Sequence, residues 1–449
     1  GVIGFGLVRH VESRKAGIVL SLSFLTGLPV SSLLVIVVDL LPIALTTGSV
    51  LAALALGAVV ANLGWRERTR TGLRTLAPRA VSWRADAIVF CTVLALFGAV
   101  SLWQAVHLPV IPRDATVGMD LVAKYAAAEG TIRSSVFTGP ELEGRLSNQP
   151  YYAPFVMLMQ LTFRLAGFAF GKLWLPVLYL SFLLFLYARL RAELHAILAG
   201  FLLLVFVTVP LMFSYSYLVG TDLANAVFFG LGVLFLHDFL RHDRRRDLLL
   251  SGLFMGFACW SRSESILFVL PGALFLLGDR FRRRGTVAWA PAIVYLAAPA
   301  ALFLLWHGFY YRLVFEAAPG AGVFSPGAAP RSWGETTVSV LMLLGEDSLY
   351  GGAFYVLGTA VLVNVVGFRE RRGGWLLAWI PLLLAGFVVL VQTTPAASVE
   401  NTVKRGIFKL FPILVVYVGE SRLFLLISER LSRWESGREE TLRPPPDLP

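Results

Sequence analysis

The sequence predicts an all-α polytopic membrane protein, and three observations support that fold class. Of the 449 residues, 57% are hydrophobic and only 15% are charged, whereas soluble domains are usually about 45–50% apolar and about 25% charged. Stretches of about 18 or more residues with few charges recur along the chain, and each is long enough to cross a bilayer as a helix. Short arginine-rich groups separate these stretches. We therefore predict a single bundle of about twelve transmembrane helices.

The basic groups also predict the orientation of the spans. Six arginines from Arg66 to Arg84 lie between the second and third apolar stretches. Because Lys and Arg favour cytoplasmic loops, we expect this loop and both chain termini on the cytoplasmic side. We predict twelve spans, which together place every later basic group on the cytoplasmic side as well. The spans are 17–40, 45–63, 87–106, 173–190, 196–214, 221–240, 248–260, 265–278, 287–309, 351–367, 375–392 and 406–428.

The segment 151–172 is apolar but does not fit this alternation. A crossing there would invert every later loop, so we predict a juxtamembrane or re-entrant helix near the outer interface, with Arg164 and Lys172 at the headgroups. The charged, proline-rich end, GREETLRPPPDLP, predicts a disordered cytoplasmic tail. The predicted regions are an N-terminal part (1–86), a central module (87–280, with outer loop 108–150 and segment 151–172), a C-terminal part (281–430, with outer loops 310–337 and 393–405) and a tail (431–449).

Several function classes are disfavoured by the composition. The net charge of +11 comes largely from the loop arginines, which orient helices, so we expect no nucleic-acid partner. Cys91 and Cys259 lie inside apolar stretches, which predicts neither a disulfide framework nor a zinc site. The first residues lack a short apolar core with a small-residue cleavage site, so we expect no cleavable signal peptide. No phosphate-binding glycine loop or dinucleotide motif occurs, so no nucleotide or redox cofactor is expected.

The predicted outer face collects the polar residues that are candidates for chemistry. Carboxylates in a membrane-interface cavity can act as a general base or bind metal, and neighbouring cations can hold a phosphate. Charges next to apolar runs are costly unless they are functional. The candidates are Asp114, Asp120, Lys124, Asp222, Arg262, Glu264, Lys404 and Arg405.

Structural roles remain open for several of these residues. Asp222 precedes an apolar run and is also suited to capping a helix. Arg262 and Glu264 could simply form an ion pair at a helix end. Asp120 and Lys124 have the i, i+4 spacing of a helix-surface pair. No His-x-x-His pattern favours a metal role for the histidines.

Five segments, in order, resemble the C-type glycosyltransferases (GT-C), and in motif order the protein mannosyltransferase and aminoarabinose transferase superfamily. Together these segments span about residues 87–280 and 398–415. Ala153 stands where a proline is common in the family, and Ser261 where a threonine is common. The segments are RDATVGMDLVAKYAAAEG, NQPYYAPFVMLMQLTF, YSYLVGTDLANAVFFGLGVLFL, LLLSGLFMGFACWSRSESILFVLPG and ENTVKRGIFKLFPIL.

The resemblance implies a GT-C-like bundle with juxtamembrane helices in its first large extracytoplasmic loop. It implies Asp114 as the catalytic base, and Arg405, with Lys404 and Arg262, as the cations that stabilise a departing lipid phosphate. Asp222 would line the same cavity, and in some relatives an acidic residue there helps to bind a divalent cation. The remaining substrate-binding candidates are Asp120, Lys124, Tyr152 and Glu264.

The resulting functional prediction is an inverting glycosyltransferase in the plasma or inner membrane. It would move a sugar from a polyprenyl-phosphate-linked donor to a glycan, lipid or protein acceptor at the extracytoplasmic face, in cell-envelope glycan or glycolipid assembly. A ligase or polymerase of lipid-linked glycans and a flippase-type transporter remain alternatives. The absence of a convincing internal repeat in the sequence argues against a transporter.

Overall fold

The computed structural model describes residues 1–8, 16–63, 85–138, 152–314, 332–369, 373–394 and 397–442. Within these ranges every regular element is a helix, which confirms the all-α prediction. The arginine-rich loop 64–84, the segment 139–151, most of the predicted outer loop 310–337 and the last seven residues lie outside the described residues.

The described residues of the N-terminal part and of the start of the central module form four helices. Helix α2 is the longest of these, and it remains continuous through Pro29. Thr46 and Ser49 form a reciprocal capping box at the start of α3, which satisfies two backbone N–H groups. The helices are α1 (Val2–Val8), α2 (Ala16–Leu40), α3 (Thr47–Asn62) and α4 (Ala85–His107).

The predicted outer loop folds into short helices. A π-helical turn, Ala115–Met119, leads into α5 (Asp120–Glu129), which ends at Gly130. Gly130 has φ of 72°, a left-handed conformation that favours glycine and closes the helix. A single turn, α6 (Ser135–Thr138), follows, and α7 (Phe155–Leu165) forms the apolar segment after the loop. At about 1.5 Å per residue α7 is about 16 Å long, roughly half the hydrocarbon thickness, which fits a segment that does not cross.

The centre of the molecule is a group of helices around α11. The apolar stretch of α11 is 94% buried inside the protein, whereas that of α4 is only 17% buried. Helix α11 is therefore central and α4 is peripheral. The helices of this part are α8 (Trp174–Leu190), α9 (Ala196–Val207), α10 (Pro210–Ser214), α11 (Asp222–His242), α12 (Arg245–Ser261), α13 (Ser265–Arg284) and α14 (Trp289–Phe303), which continues as the π-helical Leu304–Val314.

Small residues let the central helices approach closely. A Cβ on Gly252 would lie 2.8 Å from the Tyr295 carbonyl oxygen, and one on Gly256 would lie 3.0 Å from the Ala298 carbonyl carbon. Two glycines four residues apart thus pack α12 against the backbone of α14, as is common for membrane helices. This packing fixes the end of α12, where Arg262 follows the helix.

The C-terminal part completes the bundle. Its helices are α15 (Trp333–Leu343), α16 (Asp347–Tyr350), α17 (Ala353–Leu362, continued by the π-helical Val363–Gly367), α18 (Gly374–Thr393), α19 (Lys404–Gly406, preceded by the π-helical Val399–Val403), the 3-10 turn Ile407–Lys409, α20 (Leu410–Gly419) and α21 (Arg422–Leu442). Helix α21 runs six residues into the stretch that was expected to be disordered. Its i, i+4 pair between Glu429 and Arg433 supports the helical conformation.

Five described helices are long and apolar enough to cross a membrane, and a sixth span results if the pair Val399–Gly419 and Arg422–Ser436, bent by 53°, counts as one. Several predicted spans correspond to shorter helices, such as the 12 residues of α9. That helix is about 18 Å long, less than the hydrocarbon thickness of about 30 Å. The count of about twelve spans therefore stays a prediction.

Candidate active site

Asp114 lies at the start of the π-helical turn that follows α4. Its side chain is 27% exposed. Both terminal nitrogens of Arg405, from α19, lie 3.4 Å from Asp114 Oδ2, although 291 residues separate the two positions. This contact is longer than the usual 2.7–2.9 Å of a charge-assisted hydrogen bond, so it is a loose pairing.

Arg405 also contacts a second carboxylate. Its Nη1 lies 3.3 Å from Oδ2 of Asp222, whose side chain is 1% exposed. The other Asp222 oxygen accepts a hydrogen bond from Nη1 of Arg262, and Nε of Arg262 donates to Glu264. Five side chains of alternating charge therefore form a continuous series, Asp114–Arg405–Asp222–Arg262–Glu264, here called the charge chain.

The structure bears on both structural alternatives for this group. Thr221, not Asp222, occupies the cap position of α11, and Asp222 begins the helix with its carboxylate directed to arginines. Its negative charge in the first helical turn is favoured by the helix dipole. Arg262 and Glu264 do form the expected ion pair, but Arg262 also binds Asp222, which links this pair to the rest of the charge chain.

Two tyrosines flank the charge chain. Tyr152 interacts electrostatically with Arg262, Asp114, Asp222 and Arg405, and burial raises the pKa of its hydroxyl against the opposing effect of Arg262. Tyr215 is hydrogen-bonded to Arg405, and burial, followed by the Asp222 charge, raises the pKa of Tyr215 to about 12. Both hydroxyls therefore stay protonated near neutral pH, where they can donate hydrogen bonds.

Lys409 is a member of the site that the sequence reasoning missed. The residue is 3% exposed, and its ammonium lies 5.6 Å from the ring centroid of Phe268 and 5.8 Å from that of Phe387. It also interacts with Arg262, Glu264 and Asp222. A single lysine in the apolar run IFKLFPIL was a usable signal, because ionisable residues in such runs are usually functional. With Lys409, three cations oppose the three carboxylates of the charge chain.

Asp120 and Lys124 do not contact the charge chain but belong to a separate cluster. Asp120 is fully buried, and its Oδ1 accepts from Arg164 Nη2 at 2.6 Å and from Gln160 Nε2 at 2.8 Å. Lys124 Nζ lies 3.0 Å from Asp120 Oδ2, which is the predicted i, i+4 pair. Trp174 Nε1 donates to Gln160 Oε1 at 2.9 Å, which extends the cluster to α8. We call these five residues the loop anchor.

Lys172 lies inside the protein rather than at its surface. It is 1% exposed, and its ammonium donates to the Gln104 carbonyl oxygen at 3.2 Å. Burial lowers its pKa to about 8, partly offset by Asp120. Lys172 therefore does not lie at the headgroups, where it was expected. Its side chain instead joins the segment before α8 to the end of α4. Arg164 is likewise bound to Asp120.

A third carboxylate, Asp39 at the end of α2, holds the loop from another side. Its Oδ1 accepts from Thr131 Oγ1 at 2.9 Å and from the Ile132 N–H at 2.8 Å, and its Oδ2 accepts from the Tyr310 hydroxyl. One carboxylate therefore joins the first long helix, the outer loop and the π-helical end of α14. In the sequence this role of Asp39 is marked only by its place at the end of an apolar run, which is a weak signal.

Two further contacts complete the surroundings. The backbone carbonyl of Lys404 accepts a hydrogen bond from the Tyr350 hydroxyl at 2.6 Å, while its side chain is half-buried. Ser263 follows Arg262 in the sequence, and its Oγ lies 2.6 Å from Nε2 of His307. His307 was not a candidate on sequence, because no histidine pattern marked it.

The carboxylates present do not fit a divalent cation. Among the described residues no group of three or more His, Cys, Asp or Glu side chains is placed to hold a metal ion. Asp114 and Asp222, the nearest pair of carboxylates, share the guanidinium of Arg405. This guanidinium occupies the position between the two carboxylates that a metal would take, so the proposed mechanism uses no metal.

The comparison with protein families bears directly on this site. Residues 149–308 match the model of the dolichyl-phosphate-mannose-protein mannosyltransferase family. The match contains Tyr152, Asp222, Arg262 and Glu264, and it confirms the resemblance that the sequence motifs showed. Comparisons with curated proteins and with solved structures gave no match. The match covers about a third of the chain, and over these residues the protein is similar to a family of glycosyltransferases. The apolar helices indicate a membrane protein.

Proposed function

We propose that the protein is an inverting glycosyltransferase that moves a sugar from a polyprenyl-phosphate donor to an acceptor hydroxyl. The observation that carries this proposal is the pairing of Asp114 with Arg405 beside Asp222 and Arg262. A carboxylate that can accept a proton and a guanidinium that can bind a phosphate thus stand at hydrogen-bonding distance in one site. Transfer with inversion needs these two groups on opposite sides of the sugar carbon, so the donor has to enter between them and replace their loose contact.

Asp114 acts as the base. Its carboxylate takes the proton of the acceptor hydroxyl while that oxygen forms its bond to the anomeric carbon of the sugar. Its partial exposure and its loose contact with Arg405 leave an oxygen able to accept the proton. The buried Asp222 is instead enclosed by two arginines.

Arg405 receives the charge that the reaction releases. As the bond between the anomeric carbon and the phosphate oxygen breaks, its electron pair stays on the polyprenyl phosphate. Cations that are already positioned stabilise this charge without reorganisation. Arg405 exchanges its weak contact with Asp114 for the phosphate, and Lys404, Arg262 and the buried Lys409 add positive charge nearby. Tyr152 and Glu264 complete the proposed substrate-binding group.

The side of the membrane and the partners follow from the sequence argument. The arginine loops favour an active site on the extracytoplasmic face of the plasma or inner membrane, with both termini cytoplasmic. The acceptor is a glycan, a lipid or a protein, and the product belongs to cell-envelope glycan or glycolipid assembly. Asp120 and Lys124 lie outside the charge chain, so substrate binding by these two stays a prediction.

Transfer of label from lipid to acceptor tests the proposal. Purified full-length protein is incubated with polyprenyl-phosphate sugars carrying radiolabel and with membrane extract as the source of acceptor. We expect label to leave the lipid fraction with wild type and with Glu429→Gln, a control that removes an exposed carboxylate on α21. Excess EDTA should leave the rate unchanged. Failure of every donor, together with movement of lipid-linked glycan across vesicle membranes, would show a flippase instead.

A further inference from the structure

A cavity of about 270 Å³ lies at the end of the bundle opposite to the charge chain. Helix α11 carries Asp222 at one end and Asp238, which lines the cavity, sixteen residues later. At 1.5 Å per residue the two sites are about 24 Å apart along the helix. The cavity is therefore separate from the proposed site of transfer.

The cavity has an ion-paired wall. Arg189 donates to both oxygens of Asp238, at 2.6 and 2.7 Å, and to Glu420 at 3.1 Å. Glu420 also accepts from Arg241 at 2.7 Å and contacts His237 at 3.1 Å. These carboxylates are thus neutralised by their neighbours. The Nε–H of Arg189 is buried without a hydrogen-bond partner, so the contacts of this wall do not satisfy every polar group in it.

Other charged residues of the lining lie outside this network: Arg246 and Asp247, which pair at 3.7 Å, and the exposed Glu193 and Arg244. Among the described residues, no ion pair holds Glu193 or Arg244, and both are exposed at the cavity. A guanidinium suits a phosphate, and a carboxylate suits an ammonium group. The lining therefore offers complementary partners to a ligand that carries both charges.

The lining also includes several apolar side chains. Ile18, Phe185, Phe235 and Val416 contribute side chains that a water-soluble ion would not need. The volume is just below the range of about 300–1,000 Å³ for pockets that enclose a whole drug-sized ligand, which fits a headgroup with its chains outside. Charged and apolar walls together match a molecule that is polar at one end only.

We propose that this cavity binds a phospholipid headgroup of the ethanolamine type. The phosphate lies against Arg244, the primary ammonium lies against Glu193, and the acyl chains extend out of the cavity from its apolar side. The site is independent of glycosyl transfer and faces the other leaflet of the bilayer.

Native mass spectrometry of the full-length protein in detergent tests this site. Delipidated protein is mixed with phosphatidylethanolamine, phosphatidylcholine or phosphatidylglycerol, and the retained lipid is measured. We expect one phosphatidylethanolamine to be retained about tenfold more tightly than phosphatidylcholine, whose quaternary ammonium cannot donate a hydrogen bond. Arg244→Gln should lower retention about tenfold, and Glu193→Gln should remove the preference for phosphatidylethanolamine. Arg433→Gln, which removes an exposed arginine far along α21, is the matched control.

Three results would overturn the proposal. Equal retention by wild type and Arg244→Gln would show that the phosphate is bound elsewhere. Equal retention of phosphatidylethanolamine and phosphatidylcholine would remove the role of Glu193. Displacement of the lipid by an equal concentration of O-phosphoethanolamine would show that the apolar wall contributes nothing, and that the ligand is a soluble phosphate.

Discussion

Two aspartates six residues apart in the outer loop have opposite environments. Asp120 is fully buried and is held by Arg164, Gln160 and Lys124 at 2.6–3.0 Å. Asp114 is 27% exposed and has a guanidinium at 3.4 Å. The Asp120 carboxylate is enclosed by its three partners, whereas that of Asp114 keeps an open side. The same segment thus contains one aspartate that is closed to a substrate and one that is accessible.

The substitution Asp114→Asn should have the largest effect on turnover. An amide cannot accept the acceptor's proton, and base catalysis contributes about 10²–10⁴ in rate. We expect the rate of sugar transfer to fall by that factor while the apparent Tm of the purified protein is unchanged. Wild-type activity in this variant would remove Asp114 from the mechanism and leave Asp120 as the next candidate.

The equivalent substitution Asp120→Asn should act on stability instead. Removing the charge leaves Arg164 without its buried partner, and breaking such a pair costs about 3–5 kcal/mol. We expect a lower apparent Tm in detergent and activity that falls only with the folded fraction. Arg164→Gln should show a similar loss, and the double variant should be less destabilised than the sum of the two. Normal stability with a lost rate would instead place Asp120 in catalysis.

The substitution Arg405→Gln removes the cation that contacts both Asp114 and Asp222. Loss of one preorganised group that stabilises developing charge costs about 10²–10³ in rate, by analogy with oxyanion donors. We expect this decrease in kcat with the donor concentration saturating. Arg405→Lys should recover part of the rate, because the charge remains while the forked geometry is lost. Unchanged kcat with a raised KM would mean that Arg405 binds donor without assisting the chemical step.

The smallest effect concerns Lys172, next to the loop anchor. Its folded-state pKa of about 8 lies below its usual 10.5, so the unfolded chain binds more protons between these pH values. Stability therefore rises with pH across this window, as the penalty for burying the charged ammonium is relieved. Apparent Tm measured from pH 7.5 to 10 should rise more steeply in wild type than in Lys172→Met. Parallel profiles would contradict the burial of a charged Lys172.

Much of this arrangement could be predicted from the sequence. Helical class followed from long apolar stretches, and Asp114, Asp222, Arg262, Glu264 and Arg405 were candidates because the predicted topology places them at one face. The family match includes Asp222, Arg262 and Glu264 but neither Asp114 nor Arg405. All five lie together in the structure, although 291 positions separate Asp114 from Arg405.

Other features depend on contacts that no local pattern specifies. Gln160 and Trp174 look like ordinary members of apolar helices, yet their side chains complete the loop anchor. Asp120 and Lys124 have the same spacing whether the helix is solvated or buried, so only packing decides that Asp120 is inaccessible. The charge of Lys409 was visible, but its position over two aromatic rings depends on α13 and α18.

Asp39 has a consequence for how the chain is made. Its partner Tyr310 follows 271 residues later, which at about 5–20 residues per second takes on the order of tens of seconds to synthesise. During that interval the carboxylate can bind only Thr131 and Ile132 of the loop, which follow it by 92 and 93 residues. Its place at the end of α2 lets water satisfy the other oxygen, so the helix can insert early. The contact with Tyr310 is then added with the π-helical end of α14, and the charge chain is completed later still, when Arg405 of α19 has been synthesised.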